Sequence, residues 1–492
     1  MDYRPSTMDS KPSTKIDICY IVSHGFAARM VLQTGLLKRL RTEGKTVSLI
    51  TPDANDANLK LACESEGITL HEFKNGQPRS GNYNRMRKYF LEDIKNNVAL
   101  WEKYRVEKRF NFKRRLLAYF GYAMYRLNKI FPIIRRRFKS YEQQFLDIPE
   151  AQDFIKKINP KLLVSTYPVG FEEGILLHAA NQLNIQTCIH LLSWDNITCK
   201  GHFPALADKY IAWGPVMASE FEEFYSIEKQ NIYECGVPHF DLHFQIKNKP
   251  NIAPFIEELG LDASKPYLFF AMSSPRFAPL EIDIVEHLAG QIEAGIFGEN
   301  MQFIARPHPQ NVVGSMADTT WLGRLDALVS KRVKIDYPQL VDSKLQWSMK
   351  QGDMIRLSNM LYGAACCVNS GSTVSIDSFM VDTPVVITAF DADEERDYWF
   401  SAKRVTDFPH MKKFLSFGGA SISRSYDELT AHLKNYIENP KANWEARQHA
   451  QYMETAKNDG RATERVCEAL LEILGDEKLA QKNENRTEIH TN

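Results

Sequence analysis

The sequence predicts an α/β protein of two doubly wound, Rossmann-like domains that face each other across a cleft. Three observations carry this expectation. The stretch "KIDICYIVSHGFAARMVLQTGLLKRLRTEGKTVSLITPD" reads strand, loop, amphipathic helix, strand, a βαβ opening that implies a parallel sheet covered by helices. Short apolar runs then alternate with helical patterns in two separate series. Between the series, polarity and proline interrupt the rhythm at "QIKNKPNIAP", residues 245–254.

In the first series, one helix after the opening strand is expected to carry Val31, Leu32, Leu36, Leu37 and Leu40 on its apolar face and to end at Gly44. "TVSLIT" is the second strand, followed by "KLLVSTYP" with a helix at 171–183, "QTCIHLLSW", "KYIAWG" and "NIYECGVP". The second series runs "PYLFFAMSSPR", "MQFIARPHP", "RVKID", "AACCVNSGS" and "TPVVITAF". These limits give an N-terminal unit at 16–245 and a C-terminal unit with terminal helices at 246–477. The polar leader 1–15 and tail 478–492 are expected to be disordered. Sheets of this kind bind ligands beyond the carboxyl ends of their strands, so residues that follow strands are the functional candidates.

Composition narrows the function classes. With 492 residues, 44% of them hydrophobic, the chain can bury more than one core. A formal net charge of +0 argues against a general nucleic-acid binder. Cysteines 19, 63, 188, 199, 235, 366, 367 and 467 form no CxxC pair and read as reduced core residues of a cytoplasmic protein. Met1 to Lys15 is polar, unlike a signal peptide, and no apolar run approaches the length of a transmembrane helix. One segment is locally extreme. Lys103 to Ser140 holds 13 Lys or Arg against the single acid Glu107, interleaved with nine Tyr or Phe. This insertion, at about 100–140, reads either as a helix lying on an anionic membrane surface or as a solvated hairpin packed on its own domain.

Two turns carry the chemistry. In "CCVNSGSTVSID", residues 366–377, a strand passes through Asn369-Ser370-Gly371-Ser372-Thr373 into a helix. Such a turn aims free N–H groups and the positive end of a helix dipole at its contents, and Gly371 would let a ligand approach the backbone. It reads as an anion site or as a cap by Ser372 or Thr373. In "FIARPHPQ", Arg306 and His308 follow another strand of the same series, adding a permanent cation and a second donor on the same sheet edge. Two anion sites on one edge suit a diphosphate. There is no G-x-x-x-x-G-K and no G-x-G-x-x-G after the first strand, which disfavours triphosphate hydrolysis and nicotinamide chemistry. His287, His308 and His410 lack zinc-ligand spacing, and "DAD" at 391–393 is a weak D-x-D match, so no metal or cofactor is expected.

The ordered set "SSPR" (273–276), "RPHP" (306–309), "NSGSTVSIDSFMVDTPVV" (369–386) and "FDADEERDYW" (390–399) resembles CDP-glycerol glycerophosphotransferases and related bacterial surface-polysaccharide glycosyltransferases of the GT-B fold. "LLSWDNITCKG" (191–201) and "YECGVPHFD" (233–241) extend the likeness, which covers roughly 160–400. The resemblance implies that Arg306, His308, Ser370, Gly371, Ser372 and Thr373, with Ser274 and Arg276, hold the donor phosphates. Where the family has Trp-His-Gly, this chain has Trp194-Asp195-Asn196. Asp195 is then the candidate general base, provided burial raises its pKa. His24, in "VSHGF" after the first strand, competes for the role, and Glu172 and Glu173 are further candidates. The implied activity is transfer of a glycosyl unit from a nucleotide-activated sugar to a surface-glycan or lipid-linked acceptor, at the inner face of the cell membrane. A CDP-polyol phosphotransferase, a non-hydrolysing nucleotide-sugar epimerase and an inactive GT-B scaffold are the alternatives.

Overall fold

The computed structural model describes residues 15–74, 87, 91, 96–102, 112–312, 319–341, 345 and 349–475. Most of the leader, the tail and residues 103–111 of the basic insertion lie outside this set. The first sheet contains β1 (Ile16–Ile21), β2 (Val47–Thr51), β3 (Thr69–Glu72), β4 (Pro160–Ser165), β5 (Gln186–His190), β6 (Lys209–Ala212) and β7 (Ile232–Glu234). Its order is β3-β2-β1-β4-β5-β6-β7, and every neighbouring pair is parallel. The second sheet contains β8 (Tyr267–Ala271), β9 (Gln302–Arg306), β10 (Val333–Ile335), β11 (Cys366–Asn369), β12 (Val385–Thr388) and β13 (Ser421–Ser423). It is also all parallel, in the order β10-β9-β8-β11-β12-β13. This is the expected pair of doubly wound domains.

Both faces of the sheets are covered, as parallel strands require. In β1, Ile18 and Tyr20 pack with Leu36, Leu37, Leu40 and Leu470 on one face. Cys19 and Ile21 pack with Ile155, Ile175 and Leu176 on the other. The edge strands β3 ("TLHE") and β13 ("SIS") escape a reading based on apolar runs because edge positions are half solvated. All eight cysteines are buried and none forms a disulfide.

The helix expected after β1 is two helices, Gly25–Leu32 and Leu36–Thr42. Gly35 breaks it at φ 76°, a conformation that glycine adopts readily. The break leaves Leu36, Leu37 and Leu40 on the sheet and lets the first helix run towards the second domain.

Two elements tie the domains together at the join. Helix Asp241–Asn248 buries His243, whose Nδ1 lies 2.8 Å from Ser358 Oγ and whose Nε2 lies 2.7 Å from Asp377 Oδ1. Helix Ala462–Ile473 returns to the first sheet, where Val466 and Leu470 join its core. Its first N–H groups, of Ala462 and Thr463, donate to the two carboxylate oxygens of Asp241 at 2.8 Å each. Among the described residues no helix is long and apolar enough to cross a membrane.

Candidate functional site

The strand order reverses once in each sheet, between β1 and β4 in the first and between β8 and β11 in the second. Loops diverge at such switch points and leave a crevice beyond the strand ends. A cavity of about 130 Å³ lies between the domains, at the crevice of the second sheet. Arg306, His308, Ser372 and Thr373 line it from the second domain, and Phe26 and Arg29 line it from the helix that follows β1. Four sequence candidates therefore meet in one place.

Their chemistry differs from expectation in several respects. Arg306 is buried, with Nη1 donating to Asp336 and Nη2 donating to both oxygens of Asp353 at 2.7–2.8 Å. Arg356 adds a second cation, its Nε 2.6 Å from Asp336. Burial disfavours the charged guanidinium of Arg306, but Asp336 and Asp353 raise its pKa above the ordinary value. Arg306 is thus held at the end of β9 by two buried carboxylates while it lines the cavity, and three of its five donor positions serve the protein itself. Arg29, unforeseen from sequence, is a second cation at the cavity wall. Its Nη1 donates to the Met354 sulfur at 3.1 Å, and its Nε is buried without a hydrogen-bond partner. Burial lowers the pKa of its guanidinium, with Asp377 and Asp353 opposing. The sequence signal was slight: Phe26 and Arg29 share the stretch of this helix that faces away from the sheet.

His308 is a donor at this site. Burial holds its imidazole down at about 4, so it is neutral. Its Nδ1 accepts from the Gln310 N–H at 3.1 Å, which places the ring proton on Nε2.

The serine-rich turn is organised by a residue not singled out before. Asn369 Oδ1 accepts from the N–H groups of Gly371 (2.9 Å) and Ser372 (3.2 Å) and from Ser375 Oγ (3.2 Å). Two of the N–H groups expected to face an anion are thus occupied by an Asx-type turn. Gly371 is required by its φ of 92°. A Cβ there would meet Val405 Cγ1 at 2.9 Å, so protein rather than ligand fills that space. Ser370 is turned inward, its Oγ donating to Glu281 at 2.5 Å and lying 2.7 Å from Thr388 Oγ1. Burial pushes the Glu281 carboxyl up to about 8, and donation by Ser370 only partly opposes it. Ser372 and Thr373 remain at the cavity. Ser274 is buried, its Oγ without a hydrogen-bond partner. Arg276 is exposed, its guanidinium over the Phe277 ring. Asp391, of the D-x-D match, accepts from the Ala402 N–H at 2.8 Å.

On the first domain, His24 follows β1 and Tyr167 follows β4, on either side of the switch point, with their rings edge-to-face at 4.5 Å. Glu173 is buried. Its Oε2 accepts from Ser165 Oγ (2.6 Å), Thr166 N–H (3.0 Å) and Tyr167 N–H (2.9 Å), and its Oε1 accepts from Ser23 Oγ (2.5 Å). Because the Ser23 hydroxyl proton goes to Glu173, the 2.9 Å contact between Ser23 Oγ and His24 Nδ1 needs the Nδ1–H tautomer. Burial, helped by the charge of Lys200, lowers the His24 pKa. His24 is therefore a neutral imidazole with its lone pair on Nε2, which is the form a general base needs. Glu172, next along, is exposed.

Asp195 departs from what its candidate role required. Burial by itself pushes the carboxyl up, but Lys200 and donation by Ser193 Oγ at 2.8 Å outweigh it and hold the pKa at about 2. Lys200 Nζ lies 2.8 Å from Asp195 Oδ2. A carboxylate so stabilised is a weak base. From the second domain, His410 completes the group, its Nδ1 3.1 Å from Cys199 Sγ and its ring edge-on to Trp194 at 4.8 Å.

No family model matches the sequence, and no curated protein matches it. Solved structures do match. The UDP-GlcNAc 2-epimerase from Neisseria meningitidis bound to UDP-GlcNAc aligns over 93% of this chain and 100% of its own, with 9% identity and a TM-score of 0.53. The S. aureus MnaA–UDP structure aligns over 94% of this chain and 97% of its own, with 9% identity and a TM-score of 0.53. A glycosyltransferase from Rickettsia africae covers 94% of this chain and 100% of its own, at 12% identity and a TM-score of 0.49. The first two likenesses, with the two facing parallel sheets, show that this chain has the two-domain, Rossmann-like GT-B fold.

Proposed function

We propose that this chain is a glycosyltransferase that moves a glycosyl unit from a nucleotide-activated sugar to a hydroxyl of a surface-glycan or lipid-linked acceptor. The observation that carries the reading is the Glu173–Ser23–His24 relay, which presents a neutral imidazole lone pair from the first domain. Arg29, the His308 Nε2–H, Ser372 and Thr373 line the cavity between the domains, where they suit a diphosphate. In the reaction, His24 Nε2 takes the proton of the acceptor hydroxyl as its oxygen bonds to the anomeric carbon. The bond from that carbon to the diphosphate breaks, and the leaving oxygen takes the electron pair. Arg29 and His308 face the charge that develops there. The Neisseria neighbour is bound to UDP-GlcNAc, which supports UDP-linked sugars as the first donors to test. Among the described residues no group of three or more His, Cys, Asp or Glu is placed to hold a metal ion.

That neighbour also supports a second reading, in which His24 takes a proton from the sugar itself and the product is an epimer. Incubation with UDP-GlcNAc in D2O separates the two. A transferase leaves the sugar carbons unlabelled, and it releases UDP when the lipid-extractable glycan fraction of a bacterial envelope is added. Deuterium at an inverted carbon without any acceptor would refute transfer. Calorimetry that finds no affinity for UDP-, GDP-, CDP- or CMP-linked ligands would sink both readings.

A further inference from the structure

From residue 112 the basic insertion forms two helices, Phe112–Ile130 and Pro132–Leu146. On the first, Gly121 and Asn128 are buried and mark the face turned to the protein. On the opposite face Phe112, Leu116, Phe120, Leu127 and Ile130 are 66, 54, 58, 40 and 67% exposed. At 100° per residue these five positions fall within an arc of roughly 80°, so they form one stripe along a helix about 28 Å long. The stripe continues round the bend through Phe131 and Ile133, at 52 and 62% exposure. Beside it Lys113, Arg126, Lys129, Arg136, Arg137 and Lys139 are exposed. From Phe112 to Tyr141 the sequence has nine Lys or Arg and no acidic residue. An ordinary surface helix turns its apolar face inward and its charges outward. Here an apolar stripe faces outward among cations.

We propose that this outward face docks on an anionic phospholipid bilayer, with the stripe in the acyl boundary and the cations at the headgroups. The two features together choose the occupant. A second copy of the chain would bring nine more cations against these nine, and like charges in contact repel. Nucleic acid would satisfy the cations but offers the stripe no apolar phase of comparable extent. An anionic bilayer satisfies both at once. Upstream of the pair, Glu102 is 3.0 Å from Arg404 Nη2 of the second domain. The same guanidinium donates to the carbonyls of Arg276 (2.8 Å) and Phe277 (3.1 Å), so Glu102 is tied to the loop beyond β8.

The test is sedimentation of the full chain with phosphatidylglycerol or phosphatidylcholine vesicles at two salt concentrations. The expected result is binding to phosphatidylglycerol that weakens with salt and little binding to phosphatidylcholine. A quadruple variant, Leu116→Ser, Leu127→Ser, Ile130→Ser and Ile133→Ser, should lose at least about tenfold in vesicle affinity although every cation remains. The variant Arg126→Gln, Arg136→Gln, Arg137→Gln alters only exposed polar positions and should lose both affinity and salt dependence. Nucleotide affinity should stay the same in both variants, which separates this proposal from the donor-site reading. Wild-type protein left in the supernatant with phosphatidylglycerol would overturn it. So would unchanged vesicle binding in the charge variant, or a soluble dimer that the serine variant abolishes. RNA binding without vesicle binding would also reject the bilayer.

Discussion

Glu173→Gln changes one proton in the relay while keeping the shape of the side chain. In the native protein Glu173 accepts four hydrogen bonds, three at Oε2 and one, from Ser23, at Oε1. A glutamine can keep the three donors on its carbonyl oxygen, but its amide nitrogen then faces Ser23. That N–H donates to Ser23 Oγ, so the hydroxyl turns and donates to His24 Nδ1 instead of accepting from it. The imidazole proton moves to Nε2, and the base loses the lone pair that the reaction uses. Losing general-base catalysis lowers turnover by about 10²–10⁴-fold, or ~3–5 kcal/mol in the barrier. Nucleotide affinity should not change, because Arg29 and His308 keep their surroundings. Stability should change by less than about 1–2 kcal/mol, since the number of hydrogen bonds is conserved. The assay is turnover with donor and acceptor, alongside ¹⁵N NMR of the His24 ring nitrogens. Full turnover with the proton on Nε2 would refute the base role. An unmoved proton in the variant would refute the relay.

Arg29→Ala and Arg306→Ala should separate binding from folding. The first should weaken nucleoside-diphosphate binding in calorimetry by about 1.5–3 kcal/mol with little loss of stability. The second leaves buried Asp353 without its Arg306 partner, while Arg356 still pairs with Asp336, and denaturant unfolding should show a loss of about 3–5 kcal/mol. The buried carboxyls of Glu220 and Glu454 make stability depend on pH. Burial pushes both up to about 8, with the charge of Glu454 adding to the shift at Glu220. The folded chain therefore holds more protons than the unfolded chain between their ordinary range and about pH 8, so stability falls as pH rises through that window. Glu454→Gln should raise the melting temperature at pH 8.5 by several degrees more than at pH 5, and an equal change at both would count against the shift. Gly371→Ala should cost about 1–3 kcal/mol, from the left-handed backbone and the contact with Val405. Thermal unfolding at wild-type temperature would show that the turn can relax.

The sequence by itself determined the architecture. Strand positions such as "KIDICYI", "PYLFFA" and "VVIT" were legible because burying a parallel strand on both faces leaves a continuous apolar run. The strand–turn–helix at Asn369 to Val374 was legible for the same local reason. Local pattern also showed that Arg306, His308 and the serine-rich turn open on one sheet edge. What each group does once there was decided by tertiary structure. Arg306 reads as an unpaired cation in the sequence, but Asp336 and Asp353, 30 and 47 residues away, accept from its Nη1 and Nη2. Asp195 looks like a base until Lys200 folds onto it and holds its pKa at about 2. Glu173 and Ser23 meet across 150 residues, and only that meeting sets the His24 tautomer. Arg29 reaches the cavity from a helix that stops at Leu32, just before the left-handed turn at Gly35. Periodicity is a property of neighbours along the chain, whereas protonation and hydrogen-bond occupancy belong to neighbours in space, which the fold alone supplies.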